Sequence, residues 1–278
     1  MMELYHKVCR DCSQLVTNQY STSFSLGIKM FAEEYRSPIY NIYGFVRFAD
    51  EIVDTFHDHD KALLFEEFRA DTYKAIDRKI SLNPILHAFQ EVVHDYDITL
   101  DLIDGFLDSM KMDLKSSEFD RPTYEKYIFG SAEVVGLMCL KVFVKGDNAE
   151  YDRLKDSAMK LGSAFQKVNF LRDVKSDYLD RGRVYFPDVM YESFTCSQKS
   201  EIEVEIQSEF DAALVGIRQL PRGARLGVFA AFTYYQRLLK KIKRHTASDV
   251  KEQRIRVSDP RKVMLLGVSA FKSRVGAI

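Results

Sequence analysis

Two Asp-x-x-x-Asp pairs stand far apart in the chain, Asp50-Glu51-Ile52-Val53-Asp54 and Asp173-Val174-Lys175-Ser176-Asp177. Residues four apart lie on one face of an α-helix, so each pair presents its carboxylates together. A single pair of this kind is ordinarily a solvated face. Two pairs, each extended along its own helix by further polar side chains, suggest facing helices that clamp divalent metal ions. Hard carboxylate oxygens suit Mg2+, which keeps several waters and is bound together with substrate phosphates. The chain therefore reads first as an enzyme acting on a diphosphate.

Along the first helix, Tyr40, Tyr43, Arg47, Asp50 and Asp54 follow at intervals of 3, 4, 3 and 4. At about 100° per residue they fall within a narrow arc. The carboxylates can hold metal, and the planar fork of Arg47 can bind phosphate oxygens. A solvated face with an Arg47–Asp50 pair accounts for this helix equally well. The second helix is sharper. Gln166, Asn169, Asp173 and Asp177, at intervals of 3, 4 and 4, share one face, and each offers an oxygen. On a core face all four polar side chains would need partners, and a solvent face would carry Lys and Glu. This face reads as functional.

The loop that follows, from Asp180 to Pro187, sets Arg181 and Arg183 around a glycine, where it can fold over a bound diphosphate and exclude water. Ser21-Thr22-Ser23-Phe24-Ser25 precedes an apolar stretch. It suits a helix N-cap and, through hydroxyls and free N–H groups, an anion site. From Arg237 to Lys262, ten Lys or Arg against three Asp or Glu leave a net of +7. A solvated face explains this most simply; an anionic lipid surface or help in holding a diphosphate are the alternatives. His57-x-His59 reads as structural or incidental. Of the four cysteines only Cys9 and Cys12 are close. No second pair or His cluster follows at zinc spacing, and no βαβ context suggests redox chemistry, so they read as structural thiols.

The elements that must position these residues are helices. The chain's 278 residues suffice for a sizeable core. Forty basic and forty-one acidic residues leave a charge of −1, which gives no global argument for nucleic acid. The N-terminus, MMELYHKVCRDC, lacks the apolar segment of a signal peptide. No run approaches the roughly 20 apolar residues of a spanning helix, and the most apolar stretch, Val134 to Leu140, is cut by Lys141. A cytoplasmic protein with peripheral membrane contact is the expectation. Apolar residues recur at three- and four-residue intervals, as in Leu102, Ile103, Phe106 and Met110. The pattern predicts helices over 3–18, 22–32, 38–56, 60–79, 84–95, 99–114, 123–145, 148–179, 198–218, 221–245 and 259–272, and no strand. Ser37-Pro38, Asn83-Pro84 and Asp259-Pro260 read as caps followed by first-turn prolines. Pro122 and Pro187 read as loop residues.

These residues carry a family resemblance. Ser21-Thr-Ser-Phe24, the run from Tyr40 to Asp54, Met110-Lys-Met-Asp-Leu114, Tyr124 to Met138, and Gln166 through Pro187 resemble, in order, the squalene/phytoene synthases, the head-to-head isoprenoid synthases. The resemblance implies an all-α isoprenoid-synthase bundle, one catalytic domain over 1–278, with a central apolar cavity. It implies Mg2+, or Mn2+ in its place, held by Asp50, Asp54, Asn169, Asp173 and Asp177 through the substrate diphosphate. Ser21, Ser23, Tyr43, Arg47, Tyr127, Gln166 and Arg183 carry over as substrate or diphosphate contacts, and Tyr235 and Arg256 as C-terminal diphosphate-side residues. There are departures. Ala132-Glu133 stands where the family has Ala-Gly. Phe129 replaces a common tyrosine, so no phenol there can accept a proton. The first motif reads Asp-Glu rather than Asp-Asp.

The expected reaction joins two geranylgeranyl diphosphates through a cyclopropyl diphosphate to phytoene, the first committed step of carotenoid synthesis. The short chain without a membrane anchor and its likeness to bacterial carotenoid enzymes favour that product. NADPH is not expected for it. The alternatives are a dehydrosqualene or squalene synthase using farnesyl diphosphate, and a non-catalytic assembly factor. Partners are the prenyl diphosphates, a membrane surface and a downstream desaturase that takes the oily product; nucleic acid is not among them.

Overall fold

The computed structural model describes residues 2–114 and 119–256. Helix follows helix: α1 (Met2–Tyr20), α2 (Thr22–Ile28), α3 (Glu33–Thr55), α4 (Lys61–Arg78), α5 (Pro84–Asp95), α6 (Leu100–Asp113) and α7 (Arg121–Ile128). A π-helical turn (Phe129–Glu133) leads into α8 (Val134–Phe143). Then come α9 (Asn148–Arg181), α10 (Cys196–Ile217), α11 (Arg222–Ile242) and α12 (Ala247–Glu252). The fold is all-α, as the periodicity predicts, with no β-strand among the described residues.

Short polar side chains start most helices by accepting the orphan N–H groups of the first turn. Asn83 accepts from Ile85 and Leu86 ahead of Pro84, as expected. Ser21, Asp60, Asp120 and Asp147 cap α2, α4, α7 and α9. Thr195 and Thr246 form capping boxes with Gln198 and Asp249. Other expectations fail locally. Ser37-Pro38 does not open a helix, because α3 begins at Glu33 and runs through Pro38. The N–H that proline lacks would have met the carbonyl of Glu34, which water can satisfy in that exposed first turn. Glu33 and Glu34 also favour a helix start through the dipole. Pro122 lies in the first turn of α7 rather than in a loop. The periodicity does not predict the short α12, and the predicted helix 259–272, with its Asp259-Pro260 cap, lies outside the described residues.

The predicted helix 123–145 is observed without interruption over 121–143, with a π-helical turn inserted in it, and glycines explain where. Gly130 lies so close to α6 that an added methyl group would overlap the carbonyl oxygen of Gly105 and the side chain of Ser109. Gly162 of α9 approaches equally closely, 2.5 Å separating such a methyl from the carbonyl oxygen of Ala132. The turn is thus wedged between α6 and α9. Lys141, which interrupts the apolar run of α8, is itself buried and donates to Asn148 Oδ1 at 2.9 Å.

α3 is the central helix, packing against α1, α4, α5, α6 and α8. Its Phe45 is fully buried and stacks on Phe89 with centroids 3.9 Å apart, among Phe68 and Phe106. α9, about 51 Å long at 1.5 Å per residue, packs on α8, α10, α11 and α12. Because α8 packs against both α3 and α9, it holds the two acidic helices as opposite walls.

Gly130→Ala should lower stability by about 1–3 kcal/mol, the usual cost of overpacking, in urea denaturation. Gly27→Ala, whose methyl would meet nothing within 4 Å, should leave stability unchanged or slightly raised. Equal stability of the two variants would contradict the wedge.

Candidate active site

The two acidic helices meet through the chain that turns back at the end of α9. Gly182 ends that helix in the left-handed region, φ +66°, a conformation that costs glycine little. The reversal lets the backbone N–H of Arg183 donate to Asp177 O at 2.8 Å and sends both flanking arginines toward α3. Arg181 pairs with Asp54 at 3.2 Å and with Asp177 at 3.1 Å. Arg183, its side chain only 7% exposed, donates to Asp54 Oδ1 at 2.9 Å and to the carbonyl of Asp113 at 3.0 Å. It also lies 3.5 Å from Asp113 Oδ1 and 3.2 Å from the Tyr185 hydroxyl.

The other carboxylates are gripped in the same way. Arg47 binds Asp50 and Glu51, and its guanidinium lies 4.4 Å from the centroid of the Tyr20 ring. Arg172 Nε donates to Asp173 at 3.0 Å, and Arg254 pairs with the same carboxylate at 2.7 Å. Six carboxylates (Asp50, Glu51, Asp54, Asp113, Asp173 and Asp177) are thus met by five arginines.

The remaining predicted residues fall around this cleft in different ways. Asn169 Oδ1 accepts from the Tyr235 hydroxyl at 3.2 Å, and Tyr235 stacks on Phe165 at 4.0 Å. Tyr43 stacks on Phe24 at 4.7 Å, and burial raises the pKa of its phenol. Ser23 lies in the first turn of α2, and Gln166 is half-buried on α9. Tyr127 is buried and donates to Asp113 Oδ2 at 2.7 Å. Tyr40 diverges from its expected arc and lines a separate cleft of about 540 Å³ with Arg10, Lys29 and Arg36. Arg256 is exposed and contributes its backbone carbonyl to Lys241 at 2.6 Å. Arg254, two residues earlier, reaches Asp173 instead, because α12 brings that segment alongside α9. Glu133 lies in the field of Lys160, Lys167 and Glu209, where burial raises the pKa of its carboxyl.

Asp113 has no role in the sequence reading, yet it ties Arg183, Tyr127 and Tyr185 together. A signal existed. Asp113 continues the spacing of Leu102, Phe106 and Met110, so a carboxylate falls on the apolar face of α6. Arg172 and Arg254 left no comparable signal, since each is one basic residue among many.

Burial and mutual repulsion set the electrostatics. Asp50 is pushed up to about 6, first by burial and then by the charge of Asp54, against the pull of Arg47 and Arg181. Its side chain keeps 34% of its surface toward the cleft while protein surrounds it at longer range. Asp177 rises to about 7 through burial and then Asp173. Asp113 also rises to about 7, burial outweighing Arg183. Crowded carboxylates of this kind suit a divalent cation. Every donor on the two predicted faces is a hard oxygen, as Mg2+ requires. Arg47 Nε is buried with no hydrogen-bond partner, a donor left over for an anion.

These shifts predict a pH dependence. A carboxyl whose pKa is higher folded than unfolded holds its proton better in the folded chain. It therefore stabilises the fold below about pH 4, and that contribution is lost as pH rises through its folded value. For Asp177 the window runs from about 4, the ordinary Asp value, to about 7. In chelator, Asp177→Asn should match the unsubstituted chain near pH 4 and exceed it in stability at pH 8. Parallel pH profiles in urea denaturation would refute this.

Comparison with known proteins agrees with the geometry. Residues 17–261 match the family model for squalene/phytoene synthase. A chloroplastic phytoene synthase of an Oncidium hybrid cultivar is 27% identical over 95% of this chain and 68% of its own length. A 4,4'-diapophytoene synthase of Staphylococcus haemolyticus is 28% identical over 69% of this chain and 66% of its own length. The chain thus spans about two thirds of each of these relatives. A crystal structure of a dehydrosqualene synthase in complex with ligand superposes with a TM-score of 0.84 at 20% identity, covering 98% of both chains. With the family model matched over most of its length, the chain belongs to the squalene/phytoene synthase family.

Proposed function

We propose that this protein joins two prenyl diphosphates head to head, and that its substrates are two geranylgeranyl diphosphates giving phytoene. The observation that carries this reading is the pair of oxygen-bearing helix faces joined across one cleft by Arg181, which pairs with both Asp54 and Asp177, while Arg183 holds Asp54 from the turn after α9. The phytoene assignment is favoured by the extent of likeness, 95% of the chain for the plant phytoene synthase against 69% for the diapophytoene synthase.

Asp50, Asp54, Asn169, Asp173 and Asp177 would hold Mg2+, or Mn2+, which supplies Lewis-acid neutralisation of the departing diphosphate. The arginines do the rest of the anion binding. Each is ion-paired to a carboxylate. With cations on the carboxylates, Arg47, Arg181 and Arg254 would be free to bind phosphate oxygens without leaving the cleft. Arg183 has less freedom, being held by Asp113 and Tyr185, and serves to position the loop.

With diphosphate gone from the first substrate, the double bond of the second attacks the allylic cation, and loss of a proton closes a cyclopropane ring. Departure of the second diphosphate opens the ring, and rearrangement joins the chains. Loss of one more proton gives phytoene, whereas hydride from NADPH would give a reduced product. Aromatic faces shield the cations. Phe24 on Tyr43, Phe165 on Tyr235, and Phe170 on Tyr185, stacked at 4.7, 4.0 and 4.0 Å, lie beside the polar residues. Tyr127 stays protonated, its pKa raised well above the ordinary phenol value by burial, and Phe129 offers no acceptor. Released diphosphate would serve as the base.

A forty-carbon hydrocarbon needs a membrane or a desaturase to receive it. No helix among the described residues is long and apolar enough to cross a membrane, so contact would be peripheral. A farnesyl-diphosphate enzyme is the second reading, motivated by the diapophytoene synthase relative.

Asp173→Asn should lower turnover by about 10²- to 10³-fold or more, the scale of losing one electrostatic stabiliser, with unchanged circular dichroism. Undiminished product formation would remove Asp173 from the metal set. Purified protein with Mg2+ and geranylgeranyl diphosphate should give phytoene without NADPH. A thirty-carbon product from farnesyl diphosphate alone would replace the substrate, and no product from either would bring the assembly-factor reading forward.

A further inference from the structure

A second group of metal donors lies outside this cleft, where α1 meets α5. His6 comes from α1, and His87 and Glu91, one turn apart, from α5. One ligand atom from each lies within 4.8 Å of the others, the one such three-residue group of His, Cys, Asp or Glu among the described residues. Nδ1 of His6 is 3.0 Å from Nε2 of His87 and 2.5 Å from Oε1 of Glu91. His87 is fully buried and the His6 side chain is 28% exposed. A buried donor with a half-open neighbour gives both a fixed ligand and a path of entry.

With the Ser81 contact kept, protons alone do not satisfy the three groups. Nδ1 of an imidazole has one in-plane site, holding either a hydrogen or a lone pair. The backbone N–H of Ser81 donates to Nδ1 of His87 at 3.3 Å, which leaves the His87 hydrogen on Nε2, facing His6. If His6 Nδ1 accepts it, the same lone pair confronts the Glu91 carboxylate. If His6 instead carries a hydrogen toward Glu91, two N–H groups confront each other. The other oxygen, Glu91 Oε2, is buried without a hydrogen bond, its nearest cation being Arg10 at 3.7 Å.

A cation bound to His6 Nδ1, His87 Nε2 and Glu91 Oε1 resolves both short contacts. Its cost is the longest one, from Ser81, since Nδ1 of His87 must then carry the hydrogen. Bonds of about 2.0–2.2 Å to nitrogen and oxygen suit these donors after the His6 ring opens by less than about 1 Å. Two imidazoles and one carboxylate, with a fourth position for water, form a zinc-type donor set. The oxygen-only faces of the cleft differ from it in kind.

We propose that His6, His87 and Glu91 form a binding site for Zn2+ or a similar divalent transition-metal ion, pinning α1 to α5.

The test uses the full chain, stripped with chelator and returned to excess Mg2+ so that the acidic cleft is occupied. Titration with Co2+ should give the intense visible bands of low-symmetry four-coordination at one ion per chain, bleached by Zn2+, and Zn2+ should raise the melting temperature. His6→Gln and Glu91→Gln should each weaken this binding by about tenfold or more, while circular dichroism and Mg2+-supported prenyl transfer stay unchanged. Zn2+ and Co2+ binding equal in the unsubstituted chain and both variants, or no such spectrum at all, would overturn the proposal. Either result is independent of the reaction assigned to the cleft.

Discussion

The hold of Arg183 on Asp54 and Asp113 is the interaction on which the site depends. It joins three segments remote in sequence: the end of α3, the end of α6 and the turn after α9. A guanidinium buried this far is tolerable only when its donors are used, and Arg183 has acceptors in Asp54, Asp113 and Tyr185. The converse holds for Asp113, buried on α6 with two phenols donating to it. Remove the guanidinium and two acids face each other in a closed space. The geometry of the acidic cleft is therefore fixed at its floor by a buried network, while its mouth, at Asp50 and Arg254, remains open to solvent.

The helical scaffold meets this demand by close packing on the far side. Gly130 and Gly162 bring the π-helical turn against α6 and α9 at distances no side chain permits. Phe45 and its ring neighbours fill the space around α3. The walls are thus set by shape and the floor by charge. Neither suffices alone: packing is indifferent to which polar groups face inward, and paired charges in low dielectric stabilise little unless their geometry is held.

In this cleft each of the six acids already has an arginine, so charges of both signs are held together. Burial first, and then the repulsion of neighbouring acids, raises Asp50 and Asp177 toward neutral pH. Such preorganised charge is the main resource of an enzyme whose substrates are otherwise hydrocarbon.

The chain's periodicity alone determined the helices and the shared faces of Asp50 with Asp54 and of Gln166, Asn169, Asp173 and Asp177. Spacing along a helix is local geometry, repeated every 3.6 residues whatever the helix packs against. The Asn83 cap was legible for the same reason. Tertiary structure decided the rest. Pro38 reads as a helix start, yet the helix begins earlier because an exposed turn tolerates the lost hydrogen bond. Asp113 gains its meaning from Arg183, seventy residues away, and Arg254 rather than Arg256 meets Asp173 because of how α12 docks. His6 and His87, 81 residues apart, show no ligand spacing at all in the sequence. Contacts between distant segments follow from how faces pack in three dimensions, which no local spacing encodes.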